Sequence, residues 1–347
     1  MRVTALAGGV GAARFLRGLV SVLDTEGDAG QSGQSGQSGQ SGRSGQSGHE
    51  LTVVGNTGDD ITLFGLRVCP DLDTVMYTLG GGIDDERGWG RGAETWRVQE
   101  ELVAYGAQPQ WFGLGDRDMA THILRTQMLE SGYRLGEVTE ALCRRWGFPQ
   151  LREQVRVRLL PMSDERVETH VVLEGPDGTS QAVHFQEWWV RLAAQPPAQR
   201  IVAVGAGEAT PGPGVLEAIG TADVVVLPPS NPVVSIGTIL AVPGVREALR
   251  TTTAPVVGVS PIIGGAPVRG MADACLRAIG VATTAAAVGA LYADFLDGWL
   301  VDPRDGDAAV DGVTVRACPL LMRDLPATAA IAAAALELAA AARQPAP

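Results

Sequence analysis

The residues best suited to chemistry lie in the stretch NTGDDITLFGLRVCPDLDT, residues 56–74, which places four aspartates among apolar side chains. Asp59 and Asp60 are adjacent, whereas Asp71 and Asp73 flank one leucine. A loop that is acidic only for solvation is not usually interleaved with so many residues typical of a core. These carboxylates are therefore expected to face something other than water.

A divalent cation would remove the repulsion between the adjacent carboxylates of Asp59 and Asp60. Oxygen ligands suit Mg²⁺, which commonly takes one or two carboxylates together with phosphate oxygens. The competing interpretation is an acidic loop neutralised by arginines such as Arg67 or Arg117. The residue types alone leave both interpretations open.

A glycine-rich turn, AGGVGAAR at residues 7–14, follows the first apolar run of the chain. Glycines allow a backbone to approach phosphate closely, and the amides that begin the following helix point at it. The match to G-x-G-x-x-G is partial because Arg14 replaces the third glycine, and a tight turn from strand to helix also uses glycine. We predict that Gly8, Gly9 and Gly11 bind substrate.

Two further segments carry polar groups next to predicted helix starts. In PPSNPVVSIG, Ser230, Asn231 and Ser235 either cap a helix or form the second half of a split phosphate site. In GLGDRDMATH, an aspartate (Asp116 or Asp118) is expected to cap the helix. Arg117 of this segment can clamp a phosphate or pair with a carboxylate.

Composition excludes several classes of function. The net charge of −12 disfavours nucleic acid or an anionic membrane as a partner. All 27 basic residues are arginine, which excludes a P-loop lysine and Schiff-base chemistry. The four cysteines show no metal-binding spacing, and the first residues lack the long apolar run of a signal peptide. We predict a cytoplasmic protein that does not bind membranes.

The elements that position these residues follow an α/β pattern. The chain begins with strand, glycine turn, helix and strand, and three apolar runs follow from residue 201: IVAVGAGE, DVVVLPPSNPVVSIG and PVVGVSPIIGG. Such runs are typical of parallel strands buried on both faces. They predict an α/β fold, a Rossmann-like, doubly wound and mostly parallel sheet.

The domain prediction is a core of residues 1–74 and 201–347 with an inserted cap subdomain at 75–200. The cap contains amphipathic helices and a β-hairpin around Pro-Asp-Gly, whose His170 and His184 are expected to have surface or core roles. The QSG repeats at 31–48 contain no apolar residue and predict a disordered surface loop. The Ala-rich C-terminal stretch predicts a packed helix.

Several long motifs occur in order and carry a family resemblance: LAGGVGAARFL, NTGDDITLFGLRVCPDLDTVMYTLGGGID, GWGRGAETW, LGDRDMATHILRTQML, HFQEWWVR, PSNPVVSIGTILAVPG and SPIIGGAPVRGMAD. The chain resembles the 2-phospho-L-lactate transferase family of coenzyme F(420) biosynthesis, and most closely its actinobacterial phosphoenolpyruvate transferase branch. The likeness extends over nearly the whole chain except the QSG tract and the tail.

The resemblance implies a homodimeric, Mg²⁺-dependent enzyme that acts on a guanosine diphosphate ester of lactate or enolpyruvate. The phospho-lactyl or phospho-enolpyruvyl group passes to the ribityl hydroxyl of the deazaflavin Fo, and GMP leaves. By motif position Asp73 corresponds to a deazaflavin contact. A lysine of archaeal members is replaced by Gly113, so the backbone of Gly113 or the side chain of Arg117 is expected to serve instead.

Taken together, these inferences predict Asp59 and Asp73 as catalytic residues and Asp59, with Asp60 or Asp73, as ligands of Mg²⁺. Asp73 would orient the acceptor hydroxyl and take its proton. Two other functions remain open on the same fold. One is a regulator that binds nucleotide-sugars without turnover, and the other is a dinucleotide-dependent oxidoreductase.

Overall fold

The computed structural model describes residues 1–31, 48–175 and 177–342 of the chain. Its strands are β1 (Arg2–Ala7), β2 (His49–Gly55), β3 (Ile61–Leu63), β4 (Leu66–Val68), β5 (Val155–Pro161), β6 (Glu168–Glu174), β7 (Ser180–His184), β8 (Ala198–Val204), β9 (Val224–Leu227), β10 (Val256–Val259), β11 (Ile262–Ile263), β12 (Ala266–Pro267), β13 (Gly298–Val301) and β14 (Thr314–Ala317). Its α-helices are α1 (Gly9–Gln31), α2 (Pro70–Leu79), α3 (Arg97–Ala104), α4 (Asp116–Glu130), α5 (Leu135–Arg144), α6 (Val215–Gly220), α7 (Gly237–Ala241), α8 (Val245–Thr251), α9 (Ala272–Ala278), α10 (Ala285–Ala290) and α11 (Leu325–Ala342). Short π-helical turns span Glu187–Arg191 and Pro232–Ile236, and a 3₁₀ turn spans Pro303–Asp305. The QSG loop predicted at 31–48 lies, apart from its two end residues, outside the described ranges.

Seven parallel strands form the central sheet, in the order β14-β13-β10-β9-β1-β2-β5. From β1 the chain continues to β2 and β5 on one side, and later to β9, β10, β13 and β14 on the other. The strand order therefore reverses between β1 and β9. Ligands of doubly wound sheets bind outside the carboxyl ends of the strands at such a switch point. The predicted Rossmann-like α/β class is confirmed.

Helices cover both faces of this sheet. Successive strand residues point to opposite faces, so each strand contributes side chains to two cores. Ala5 of β1 belongs to a core with α1, α2, α5 and α11, whereas Leu6 belongs to a second core with α6 to α10. The middle strands are short apolar runs, VVVL in β9 and VVGV in β10, and every residue of both is buried. Burial on both faces explains why these strands do not alternate in polarity.

The predicted C-terminal helix is confirmed as α11, which packs against α1. By length and composition α11 is apolar enough to cross a bilayer, but Ile331, Ala332 and Leu338 are buried in the core that it shares with α1. The two helices approach closely at Gly18, where a Cβ would lie 2.7 Å from the backbone carbon of Thr328. In this fold α11 therefore acts as a core helix.

Two strands lie elsewhere than the sequence predicts. β5 falls inside the range 75–200 predicted as an inserted cap, yet it is an edge strand of the central sheet and pairs in parallel with β2. β8 contains the run IVAV predicted as a core strand, but it pairs antiparallel with β6 in a small sheet, β7-β6-β8. None of the β8 residues is fully buried. The predicted hairpin of β6 and β7 is confirmed by its antiparallel register.

The segment SIGTILAVPGVREALR forms two short helices instead of one continuous helix. A π-helical turn leads into α7, which ends before Val242, and α8 begins only after Gly244. Val242 is extended, at φ −70° and ψ 122°, because a residue that precedes proline is disfavoured in the helical region. Gly244 adopts φ +89°, which favours glycine.

Candidate active site

Three loops meet at the switch point of the central sheet. β1 ends at Ala7, β2 at Gly55 and β9 at Leu227, and these strands are neighbours in the sheet. The loops that follow them therefore converge, as the sequence predicts. Their contact is direct, because the Gly8 amide lies 3.4 Å from Ser230 Oγ, to which it donates a hydrogen bond.

The glycine-rich turn is packed tightly on one side and open on the other. A Cβ on Gly8 would lie 2.5 Å from Ser235 Cβ, and one on Gly11 would lie 2.4 Å from the carbonyl oxygen of Pro229. Gly9 has φ +74°, and apart from its own turn no atom of the described residues lies within 4 Å of the position of its missing Cβ. Packing thus accounts for Gly8 and Gly11, while the space beside Gly9 leaves room for a ligand. Phosphate binding by this turn stays a prediction.

Asn56, the first residue after β2, connects the acidic residues to the glycine-rich turn. Its Nδ2 donates to Asp71 Oδ2 at 2.9 Å and to Asp59 Oδ1 at 3.3 Å, and its Oδ1 accepts from the Gly58 amide at 2.9 Å. Asp71 Oδ1 accepts from the Gly9 amide at 2.8 Å. We refer to Asn56, Asp59 and Asp71 as the glycine-loop cluster.

The glycine-loop cluster concentrates negative charge in a buried place. Asp59 and Asp71 are only 6% and 5% exposed, and in the described ranges neither forms an ion pair with a basic side chain. Burial raises the pKa of Asp59 well above its usual range, and the neighbouring charge of Asp71 raises it further. Burial also raises the pKa of Asp71 to about 6, although the hydrogen bonds from Asn56 and Gly9 act in the opposite direction. Two uncompensated carboxylates form a donor set that fits Mg²⁺.

Asp73 faces a different set of residues. Residues two positions apart on a helix point about 200° apart, so Asp71 and Asp73 leave the first turn of α2 in different directions. Asp73 accepts hydrogen bonds from Arg125 of α4 on both oxygens, one of them at 3.0 Å from Nη1 to Oδ2. His122 Nδ1 lies 3.7 Å from Asp73 Oδ2, and His122 Nε2 lies 3.5 Å from Asp118 Oδ2. We refer to Asp73, Asp118, His122 and Arg125 as the α4 cluster.

The α4 cluster already contains its own cation. One ligand atom from each of Asp73, Asp118 and His122 lies within 4.8 Å of the others, but the guanidinium of Arg125 occupies both oxygens of Asp73. Burial would raise the pKa of Asp118, but the nearby His122 ring, the hydrogen bond from the Tyr77 hydroxyl and the charge of Arg125 hold it below its usual range. The donor set that fits Mg²⁺ better is therefore Asp59 with Asp71. The predicted role of Asp73 as a ligand gains no support from its contacts.

Asp60 points toward basic residues. Its Oδ2 lies 3.5 Å from Arg67 Nη2, and Arg67 also pairs with Glu168 at 3.0 Å. Burial raises the pKa of Asp60 to about 7, although the charge of Arg67 acts in the opposite direction. His184 Nε2 lies 3.2 Å from the carbonyl oxygen of Asp60, and its ring contacts that of His170. For Asp60, neutralisation by an arginine describes the geometry better than metal binding, which stays a prediction.

The start of α4 is capped from outside its own segment. Glu94 accepts hydrogen bonds from the amides of Arg117 at 2.6 Å and of Asp118 at 3.1 Å. Asp116 instead accepts from the first two amides of α3 and from Thr95 Oγ1. The prediction that Asp116 or Asp118 caps α4 is therefore wrong, because Glu94, which precedes α3, caps α4, and Asp116, the first residue of α4, caps α3.

Gly113 and Arg117 lie beside this start of α4. A Cβ on Gly113 would lie 3.1 Å from the ring of Trp96, so Trp96 fills the space that a longer side chain would need. Arg117 is exposed and donates from Nη1 to the carbonyl oxygen of Gly92 at 3.2 Å. The predicted substrate contacts of Gly113 and Arg117 stay predictions.

Asn231, also predicted to bind substrate, accepts from the amides of Val233 and Val234 and thereby caps the π-helical turn.

Sequence reasoning missed Asn56, Asp71, His122 and Arg125 as site residues. A signal was present for the α4 cluster, because Asp118, His122 and Arg125 follow one another at i, i+4 and i+7 and so share one helix face. Asn56 follows a predicted strand directly, which is where ligand-binding residues of such sheets occur.

The parallel sheet, its switch point and the buried carboxylates there define the class: a doubly wound α/β protein with a ligand site at the carboxyl ends of its strands. Among solved structures the fold is similar to that of protein BH3568 from Bacillus halodurans, with a TM-score of 0.57 and 19% identity, covering 96% of this chain and 99% of that one. A family model described as 2-phospho-L-lactate transferase CofD matches residues 3–312. The chain belongs to this family, as its motifs predict.

Two relatives are similar over nearly their whole length. The phosphoenolpyruvate transferase of Thermobifida fusca is 61% identical over 340 residues, covering 98% of each chain. That of Mycolicibacterium smegmatis is 56% identical over 346 residues, covering 98% of this chain and 99% of its own. The chain is thus a member of a transferase family of coenzyme F(420) biosynthesis.

Proposed function

We propose that this protein transfers a phospho-enolpyruvyl group from a guanosine diphosphate ester of enolpyruvate to the ribityl hydroxyl of the deazaflavin Fo. The acceptor oxygen forms a bond to the distal phosphorus, the bond between the two phosphates breaks, and GMP leaves. The choice of enolpyruvyl over lactyl is supported by the name phosphoenolpyruvate transferase, which both quoted relatives bear. The observation that carries the proposal is the glycine-loop cluster. Its two buried carboxylates have no basic partner within the described ranges, and they lie at the switch point beside the open side of the glycine-rich turn.

On the donor side, Asp59 and Asp71 would hold Mg²⁺ against the diphosphate. When bound, the metal supplies neutralisation of phosphate charge, which is the main requirement of phosphoryl transfer. Asn56 fixes both carboxylates through the hydrogen bonds described above, so the donor set is oriented before the ligand arrives. The Gly9 amide donates to Asp71 Oδ1 at 2.8 Å, which places this donor set at the start of α1, where the helix dipole favours phosphate oxygens.

On the acceptor side, Asp73 orients the ribityl hydroxyl and takes its proton through a carboxylate lone pair that the two hydrogen bonds from Arg125 leave free. This role rests on the motif position of Asp73. Arg125, which is 2% exposed, fixes the orientation of the Asp73 carboxylate through two hydrogen bonds. Asp118, with a side chain 14% exposed, is the more accessible of the two carboxylates of the α4 cluster. The predicted homodimer and cytoplasmic location are part of this proposal.

The test is mass spectrometry of the product formed from Fo with each guanosine diphosphate ester, with Mg²⁺ and after its removal by a chelator. We expect Fo carrying a phospho-enolpyruvyl group, stoichiometric GMP, and no product without the metal. A product only from the lactyl ester would correct the donor. Tight binding of Fo or of a nucleotide-sugar with no product from either ester would instead favour the regulator.

A further inference from the structure

The segment between α2 and α3 holds two arginine side chains through backbone carbonyls. Arg14 of α1 donates from Nη2 to the carbonyl oxygen of Asp85 at 3.2 Å. Arg269, which follows the β11–β12 hairpin, donates from Nη2 to the carbonyl oxygen of Arg87. Carbonyl partners orient a guanidinium without neutralising its charge.

Packing places Arg269 beside the glycine-rich turn. A Cβ on Gly88 would lie 2.6 Å from Arg269 Nη1 and 2.8 Å from Val10 Cγ1, so these two side chains meet over Gly88. The next residue, Gly270, has φ +81°, and a Cβ there would lie 2.9 Å from the ring of Trp189. Contact with Trp189 holds the backbone next to Arg269 in place. The Arg269 guanidinium lies near Val10, a residue of the glycine-rich turn.

The charge of these two arginines has no carboxylate partner among the residues that the structure describes. Within the described ranges, neither Arg14 nor Arg269 has a carboxylate oxygen within 4.0 Å. Arg17, three residues further along α1, differs because it pairs with the Asp85 carboxylate at 2.8 Å. Other arginines in the described ranges, such as Arg117, also have no carboxylate oxygen within 4.0 Å. What distinguishes Arg14 and Arg269 is that both are held by residues 85–88 beside the glycine-rich turn, where two positive charges suit an anionic ligand.

We propose that Arg14 and Arg269 form a clamp for the distal end of the donor, namely its β-phosphate and the carboxylate that the transferred group carries. This inference rests on the proposed function for the identity of the donor. The donor brings the diphosphate and a carboxylate, while Asp59 and Asp71 can direct a metal only to the former. A second cationic contact must come from arginine, since the chain has no lysine. The planar guanidinium fork matches phosphate and carboxylate oxygens in pairs.

Calorimetric titration with GDP and with GMP, both in Mg²⁺, tests the β-phosphate part of the clamp. Arg14→Gln and Arg269→Gln are each expected to weaken GDP binding by about tenfold to a hundredfold, the effect of losing a charge-assisted hydrogen bond, and to leave GMP binding unchanged. The matched control is Arg17→Gln on the same helix, which should bind both nucleotides as the wild type does. Titration with the enolpyruvyl ester then tests the carboxylate, because each clamp variant should lose more affinity for the ester than for GDP.

The two Lys variants, Arg14→Lys and Arg269→Lys, keep the charge but not the fork, and are expected to lie between wild type and the Gln variants. If a Gln variant melts well below the wild type, nucleotide affinity is compared between the wild type and the Lys variants instead. GDP binding unchanged in the Arg14 and Arg269 variants, or an equal loss for GMP, would overturn the clamp. A wild-type protein that does not bind GDP would also overturn the clamp. A wild-type protein that binds GDP through these arginines but forms no product from Fo would keep the clamp and overturn the proposed function.

Discussion

The substitution Asp73→Asn separates a role of Asp73 in the reaction from simple neutralisation of Arg125. Both side chains are buried, at 4% and 2% exposure. Removal of one partner of a buried ion pair costs about 3–5 kcal/mol, because the remaining charge stays out of water. Arg125 keeps its contact with His122 Nδ1 at 3.1 Å and with the carbonyl oxygen of Arg67 at 3.4 Å. We therefore expect the lower value, about 3 kcal/mol, and a melting temperature lower by about 4 °C.

The double variant Asp73→Asn with Arg125→Met removes both charges and keeps most of the volume. Replacement of a whole buried ion pair by groups of similar size is often neutral, so stability should return to within about 1 kcal/mol of the wild type. Turnover with Fo should stay about a hundredfold low in both variants. Urea unfolding and a steady-state assay on the same preparations measure the two quantities. If turnover recovers together with stability in the double variant, Asp73 only balances the charge of Arg125 and the catalytic role is refuted.

Three further predictions concern the glycine-rich turn and the start of α4. Asp59→Asn and Asp71→Asn should each lower turnover by about a hundredfold or more. Asp59→Asn should not lower the melting temperature, because it removes a buried charge, whereas Asp71→Asn should cost about 1 kcal/mol, because its amide group would face a donor at Gly9 or Asn56; unfolding of either variant in the assay buffer would contradict this. Glu94→Ala should cost about 1 kcal/mol in urea unfolding through loss of the cap of α4, and an unchanged midpoint would show that the two amides are satisfied by water. Gly8→Ala should cost about 3 kcal/mol through overpacking, whereas Gly9→Ala, which has space but a positive φ, should cost about 1 kcal/mol; thermal melts that rank them in reverse would refute the packing argument.

The sequence was sufficient for the central part of the fold because its signals are local. The runs of β1, β2, β9 and β10 are apolar and short, and parallel strands joined by helices bring their carboxyl ends to one edge. This is why the segments after Ala7, Gly55 and Leu227 could be expected to meet. The placement of β5 and β8 depends on pairing between distant segments, and the apolar run of β8 has the same appearance as that of a core strand.

The site was predicted in part for a similar reason. Asp71 and Asp73 are separated by a single residue and look equivalent in the sequence, but the helix of α2 directs one to the glycine-rich turn and the other to α4. The partner of Asp73, Arg125, lies 52 positions away and appears only as one polar residue of an amphipathic helix. The caps of α3 and α4 are exchanged between two segments about twenty residues apart, which no local capping signal can reveal.

Metal binding distinguishes the glycine-loop cluster from the α4 cluster as the place that would hold Mg²⁺ beside the donor diphosphate. Electron paramagnetic resonance titration of Mn²⁺, a substitute for Mg²⁺, in the presence of GDP compares Asp71→Asn with the double variant Asp73→Asn/Arg125→Met. We predict that Asp71→Asn weakens Mn²⁺ binding by about tenfold or more, while the double variant binds Mn²⁺ as the wild type does. Loss of Mn²⁺ binding in the double variant, with binding retained in Asp71→Asn, would contradict the proposed site and place the metal in the α4 cluster.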